Sequence, residues 1–285
     1  MRKVYFIILL VLWALKPLHS QSVDDATSAY KDGLYVKVLE IAEAFLEDNP
    51  KSFQMWLIQG NARQKLGDYE GAISSYEKAL KLNDGSPEVH TNIGVAYFNS
   101  GDIEKAHKLL KKAVKLNEYY SPAHYFTGNL EYAEFRTKMA LKCYDKAIEL
   151  NPEYRDALYM RSAVYFEMEE YQKALQDINK VMEIDPDLAP AKLNKAIILV
   201  SAENYEDARK ILTDLHPSLL DNKADYFYYL AESQYYSGEK EDACSTYSKA
   251  AELGDAESEE IYTKYCLTNA ERKARKQKRT ISISF

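Results

Sequence analysis

Small residues recur at intervals of 34 along this chain, and no other feature limits its folds as tightly. One column runs Ala26, Gly60, Gly94, Gly128, Ser162, Ala196 and, after one extra residue, Ala231. A second runs Val38, Ala72, Ala106, Ala140, Ala174, Ala208 and Ala243. The segments around the second column align without gaps: GDYEGAISSYEKALKLN (67–83), GDIEKAHKLLKKAVKLN (101–117), FRTKMALKCYDKAIELN (135–151) and EEYQKALQDINKVMEID (169–185). A fixed period of this size marks a repeat architecture, in which each unit buries its apolar face only by stacking on the next. Gly (10) and Pro (8) are few among 285 residues, while Ala, Leu, Lys and Glu abound, which favours helices over strands.

The repeated residues resemble the tetratricopeptide repeat, a 34-residue pair of antiparallel helices with a Trp-x2-Leu-Gly-x2-Tyr…Ala-x3-Phe…Pro pattern. Trp56, Gly60, Ala72 and Tyr76 fall on that pattern in one unit, and Ile93, Gly94, Tyr97, Ala106 and Leu110 in the next. Pro50, Pro152 and Pro186 occupy its closing position. The resemblance spans residues 23–254 and implies an all-α, right-handed superhelical solenoid of antiparallel helix pairs with a C-terminal capping helix. Seven units are expected within 21–254, at about 19–52, 53–86, 87–120, 121–154, 155–188, 189–222 and 224–257. A capping helix at 255–270 and a basic, disordered tail at 271–285 should follow.

In each unit the first helix's small residue should face the second helix's alanine, letting the axes approach to about 8–10 Å. Ala79, Ala113, Ala147 and Ala250 should do the same against the following unit. Tyr76, Leu110, Tyr144, Ile178, Leu212 and Tyr247 then fill the space beside these contacts. Pro87, Pro122 and Pro190 stand at helix starts, where a missing N–H costs little. Gly33, Gly67, Gly101 and Gly238 mark the turn inside a unit, where positive φ is useful. Phe135, Glu169 and Glu203 replace that glycine in three units, so those turns are expected to be built differently.

Ahead of the repeats, Arg2 and Lys3 lead into VYFIILLVLWAL (4–15), a run of 12 apolar residues. A membrane span needs about 20, so the run reads as the core of a signal peptide over residues 1–20, cleaved after Ser20 or Ser22. The expected location is periplasmic or extracellular, with an uncleaved N-terminal membrane anchor as the alternative. The net charge is −7; residues 1–20 carry +3 and residues 269–285 carry +5, leaving −15 on residues 21–268. So acidic a body argues against nucleic acid, whose phosphates require Lys and Arg. The basic tail has three readings: a solvated end, a weak contact with an anionic membrane surface, or a contact with the acidic body. Its last residues, TISISF (280–285), alternate like a strand that could join a sheet edge.

The sequence contains no phosphate loop, His-Glu-x2-His zinc site, Cys-x2-Cys pair or nucleophile elbow, so no catalytic residue, cofactor or metal site is assigned. His90 and His124 stand 34 apart at equivalent positions, where packing accounts for them without a metal. The three cysteines do not make a disulfide framework. If the chain turns near Gly254, however, Cys244 and Cys266 come abreast and become a candidate disulfide, the alternative being two buried thiols.

The resemblance also implies that first helices line a concave groove and supply the ligand contacts. By register, the candidate partner-binding residues are Phe98, Tyr125, Asn129, Tyr132, Tyr159, Phe166, Tyr228, Tyr235 and Tyr236. The alternative for these rings is packing between helices. Asn61 and Lys65 match two positions of the family's clamp for a C-terminal carboxylate, but Leu57, Val95 and Asn99 do not complete it. An aromatic groove suits a peptide or helix with apolar anchors. The expected function is a non-catalytic protein–protein interaction scaffold of the bacterial cell envelope, its partner an envelope or secreted protein. The alternative is a carbohydrate-binding or enzyme-accessory module using stacked tyrosines.

Overall fold

The computed structural model describes residues 22–268, so the expected signal peptide and basic tail lie outside the described residues. The described residues divide into two compact bodies, one ending at Leu150 and the other beginning at Asn151. Among the described residues, all regular structure is helical.

The N-terminal body contains α1 (Val23–Lys31), α2 (Tyr35–Asp48), α3 (Phe53–Lys65), α4 (Tyr69–Leu82), α5 (Pro87–Asn99), α6 (Ile103–Leu116), α7 (Ser121–Ala133) and α8 (Thr137–Leu150). Side-chain caps set the starts. Ser22 accepts from the Asp25 N–H while Asp25 accepts from the Ser22 N–H, a reciprocal capping box. Ser52, Asp68, Ser86 and Asp102 cap α3 to α6 through the N–H three residues on. Successive helices pack as antiparallel pairs, and each pair stacks on the next.

The C-terminal body contains α9 (Arg155–Glu167), α10 (Tyr171–Ile184), α11 (Ala189–Ser201), α12 (Tyr205–Asp214), α13 (Lys223–Tyr236), α14 (Lys240–Glu252) and α15 (Ala256–Ile261). The extra residue in the repeat register is absorbed after α12. Pro217 holds His216 extended, so α12 has 10 residues where α10 has 14. A 3-10 turn at Pro217–Leu219 follows, with Leu215 and Leu220 buried on either side of it. Where the capping helix is expected, α15 has six residues and a π-turn, Tyr262–Cys266, continues it directly; residues 269–270 of the expected span lie outside the described residues.

One expectation about packing needs extending and another needs correction. Small residues do meet the second helix's alanine, since Ser162 Oγ donates to the Ala174 carbonyl at 2.8 Å and Gly94 lies beside the Ala106 carbonyl, but the nearest neighbours of the glycines are the larger side chains four residues after that alanine. A Cβ added at Gly60 would stand 2.4–2.9 Å from the Tyr76 ring, and one at Gly128 would stand 2.6–3.1 Å from the Tyr144 ring. The glycine makes room for the ring, and Tyr76 and Tyr144 are wholly buried there. Where the second helix carries Leu110 instead, the same test at Gly94 meets an aliphatic carbon at 3.0 Å. The alanines 72, 106 and 140 are also fully buried, as close-packing residues of the second helix.

The correction concerns turns. Phe135, Glu169 and Glu203 have φ of 59°, 60° and 60°, the same left-handed conformation as Gly67 at 78°. The closing bonds also match. Gly67 N donates to Gln64 O and Asp68 N to Arg63 O; Glu169 N donates to Phe166 O and Glu170 N to Tyr165 O. The stacked helix pair imposes this turn whatever residue occupies it, against a cost of about 1–2 kcal/mol for a side chain in that region. Glu169→Gly should therefore raise stability, by about 1 kcal/mol or less after the entropy gained by the unfolded chain. Urea denaturation monitored by circular dichroism checks this; a midpoint unchanged or lowered contradicts it.

Candidate functional site

First helices touch the first helix of the neighbouring pair: α1 with α3, α3 with α5 and α5 with α7 in one body, and α11 with α13 in the other. Second helices do not match this, so within each body the first helices form the tighter, inner side of the stack. The predicted residues divide between the bodies. Phe98 lies on α5, and Tyr125, Asn129 and Tyr132 lie on α7 of the N-terminal body. Tyr159 and Phe166 lie on α9, and Tyr228, Tyr235 and Tyr236 on α13 of the C-terminal body. Residues 125, 129 and 132 share one helix face through i, i+4, i+7 spacing, as do 228, 232 and 235.

All nine are at least partly accessible. Tyr236 is the most open at 55% exposed, and the other eight are half-buried. Their rings rest on packed neighbours. Tyr125 stands 6.2 Å from the Tyr144 ring and 4.8 Å from Phe126. Phe166 stands 6.0 Å from Tyr171, and Tyr236 stacks on Tyr205 at 4.5 Å. Tyr159 accepts a hydrogen bond from Asn194 Nδ2 at 2.7 Å, which ties α9 to α11. A recess of about 550 Å³, lined by residues 169–173 and 201–203, contains none of the nine.

A polar contact beneath this wall went unread in the sequence. The Tyr76 hydroxyl donates to Asn61 Oδ1 at 2.7 Å, the Tyr144 hydroxyl to Asn129 Oδ1 at 2.8 Å, and the Tyr247 hydroxyl to Glu232 Oε1. Each pair is 15 residues apart. Where the second helix has Leu110, Ile178 or Leu212, the first has Val95, Ala163 or Ile197. Asn129 therefore commits one acceptor site of its carbonyl to the hairpin. The signal was present, since tyrosine at 76, 144 and 247 coincides with Asn, Asn and Glu at 61, 129 and 232. A second such register, 16 apart, holds Ser75 on Gln59 at 2.9 Å and Arg161 on Asp177 through two bonds of 2.7 Å.

Burial raises the pKa of the Tyr144 and Tyr247 hydroxyls, with nearby Tyr and Glu groups adding to the effect. Glu232 is also raised, chiefly by burial. The free Cys143 thiol is pushed up to about 11 by burial and then by Glu131, which keeps it protonated and a poor nucleophile at neutral pH. His90 Nδ1 faces the Ser86 carbonyl and His124 Nε2 the Glu118 carbonyl, each at 2.8 Å, so the two rings serve separate backbone groups. No three His, Cys, Asp or Glu side chains are placed to hold a metal among the described residues. His107, Glu131, Glu134 and Arg136 form a charged cluster joining α6 to α7 and its turn. Cys244 and Cys266 are disulfide-bonded, their Cα atoms 5.5 Å apart.

Profiles described as TPR repeat or tetratricopeptide repeat match residues 60–101, 87–120, 122–154, 143–176, 165–232 and 225–253. No curated protein matches the sequence significantly. Among solved structures, PilF of Pseudomonas aeruginosa is 19% identical, covering 73% of this chain and 96% of its own, with a TM-score of 0.66. YrrB, a TPR protein with an unusual peptide-binding site, is 21% identical over 65% of this chain and 96% of its own, with a TM-score of 0.57. The APC/C hetero-tetramer Cut9–Hcn1 is 14% identical over 84% of this chain and 47% of its own, with a TM-score of 0.68. At these identities the likeness is one of fold.

The hydroxyl contact is open to a double-mutant cycle. Tyr144→Phe should cost about 1 kcal/mol, and Asn129→Leu about 1–3 kcal/mol because it strands the hydroxyl. The double variant should cost less than the sum by about 1 kcal/mol in urea denaturation. Strict additivity would remove the contact from the account.

Proposed function

The chain belongs to the tetratricopeptide repeat family, and we propose that it is an exported, non-catalytic scaffold of the bacterial cell envelope that holds a segment of a partner protein against its first helices. The observation that carries this reading is the pair of aromatic sets on those helices: Phe98, Tyr125 and Tyr132 in one body, and Tyr159, Phe166, Tyr228, Tyr235 and Tyr236 in the other. Half-buried tyrosines offer area already fixed by neighbours, so little conformational freedom is lost on binding, and their hydroxyls add hydrogen bonds. The family's use as protein-interaction modules supports a protein partner in general, as does the peptide-binding site of YrrB. The envelope setting rests on the 12-residue apolar run after Arg2 and Lys3.

The carbohydrate alternative is less well supported. A sugar ring needs an open aromatic face, whereas one face of Tyr236, the most exposed of the nine, is already covered by Tyr205 at 4.5 Å.

A photocrosslinking residue placed at 132 or at 159, in the source organism, should capture a protein from the envelope or secreted fraction. Tyr132→Ala combined with Tyr159→Ala should weaken that capture at least 10-fold while the helical circular dichroism signal stays unchanged. Full retention of binding by a folded double variant contradicts the proposal.

A further inference from the structure

We propose that the cleft between α2 and α4, floored by α3, binds an extended peptide segment in which an acidic residue adjoins a basic one. The cleft shares no residue with the aromatic wall of the first helices, so this does not rest on the partner-binding reading.

The first argument is a local break in the repeat. Leu39 and Leu46 of α2, Gln59 and Arg63 of α3, and Ser75 of α4 line a recess of about 470 Å³. That volume lies in the range of ligand sites. The counterparts of these residues 34 positions on are Ile73, Leu80, Ile93, Tyr97 and Leu109. Those five belong to one apolar cluster, so the next cleft is filled by its own side chains. In the α2–α4 cleft an apolar trio is replaced by Gln59, Arg63 and Ser75, and the space stays open.

The second argument is unmet bonding. Gln59 is 6% exposed, and its Oε1 accepts from Ser75 Oγ at 2.9 Å. Among the described residues its Nε2 has no partner. The Arg63 side chain likewise makes no hydrogen bond among the described residues. Its buried Nε is bonded to nothing, and Asp68 Oδ2 stands 3.9 Å from Nη1, beyond hydrogen-bond reach. Polar groups at the same registers elsewhere are answered within the chain. Glu131, two repeats after Arg63, bonds Arg136, and Arg161, three repeats after Gln59, bonds Asp177 in the place of Ser75. A buried amide and a guanidinium without acceptors are costly, and a ligand carbonyl and carboxylate are the groups that relieve them.

Charge fixes the occupant. Glu43 and Glu47 stand on the α2 rim, and neither forms an ion pair among the described residues. Across the cleft stand Arg63 of α3 and Lys78 of α4, with Lys78 Nζ 4.8 Å from the centre of the Trp56 ring. Successive side chains of an extended chain point to opposite sides. An acidic residue next to a basic one therefore presents its carboxylate to Arg63 and Lys78 and its cation to Glu43 and Glu47. The peptide carbonyl between them accepts from Gln59 Nε2. Leu39 and Leu46 receive the aliphatic stems. A uniformly acidic or uniformly basic segment would set like charge against one side.

The test uses the full chain with Trp13→Phe, which leaves Trp56, in the cleft, as the sole tryptophan. The probe is the blocked peptide acetyl-Gly-Ser-Glu-Lys-Ser-Gly-amide, read by Trp56 emission and by calorimetry on the same samples. Binding should saturate, and about 0.5 M salt should weaken it at least 5-fold. Probes with Gln in place of Glu, or of Lys, should each bind at least 5-fold more weakly. Glu43→Gln with Glu47→Gln should have the same effect, and both positions are exposed, so the body is undisturbed. Gln59→Ile with Arg63→Tyr and Ser75→Leu installs the trio that already packs one repeat on; it should keep the helical circular dichroism signal and abolish binding. Three outcomes overturn the proposal: neither heat nor an emission change up to about 5 mM probe, equal binding of the charge-neutralised probes, or binding unchanged in both variants.

Discussion

The contact on which the stack depends is a second-helix side chain laid over a first-helix residue too small to obstruct it. In the pairs α3–α4 and α7–α8 this is a tyrosine ring over glycine, with ring carbons where a Cβ would stand. The cost of glycine in a helix, roughly 0.5–1 kcal/mol, is repaid by burying a whole aromatic ring between two axes. The hydroxyl at the ring's far end would be stranded by that burial if the first helix did not supply an acceptor. Asn61 and Asn129 do so, one residue after the glycine. Small residue, ring and acceptor are thus one device spread over two helices, used at Tyr76, Tyr144 and Tyr247, and replaced at the same repeat positions by an aliphatic side chain facing an apolar residue at Leu110, Ile178 and Leu212.

Polar pairs decide which helices meet. Arg161 and Asp177 form a two-bond ion pair across α9–α10, with Asp177 almost fully buried. Gln59 and Ser75 occupy the same register across α3–α4. Pairs of this kind add little net stability against an apolar substitute, but removing one partner leaves a buried group unsatisfied. They therefore penalise wrong pairings among helices whose apolar faces are nearly interchangeable. The inner wall is the by-product: on α7, α9 and α13 the side chains at i and i+7 stay partly accessible, five tyrosines and one phenylalanine, while Asn129 and Glu232 at i+4 are bonded to the second helix.

Fold class and repeat were legible because small residues at 34-residue spacing are a signal carried by many copies. That Gly60 and Gly128 lie beneath tyrosine rings was not, because Gly60 beside Ala72 and Gly60 beneath Tyr76 give the same spacing pattern in a linear sequence. The turns at Phe135, Glu169 and Glu203 misled for the opposite reason. Local propensity argues against a left-handed side chain, and the packed hairpin overrides it. The shortening of α12 was foreshadowed only by one extra residue and Pro217. At the site, register placed the tyrosines on first helices, but it could not show that Asn129 accepts from Tyr144 or that Glu232 accepts from Tyr247. Both depend on partners 15 or more residues away.

The central claim, that the glycine exists to admit the ring, is tested by making Gly128→Ala in two backgrounds and measuring unfolding free energy in urea. In the native sequence the added methyl should cost about 1–3 kcal/mol by forcing the Tyr144 ring outward. In a Tyr144→Leu background the cost should vanish or reverse, since alanine over leucine already occurs at Ala196 and Leu212 and alanine favours the helix by about 1 kcal/mol. An equal cost in both backgrounds would mean that the glycine answers to something other than the ring, and the account would fail.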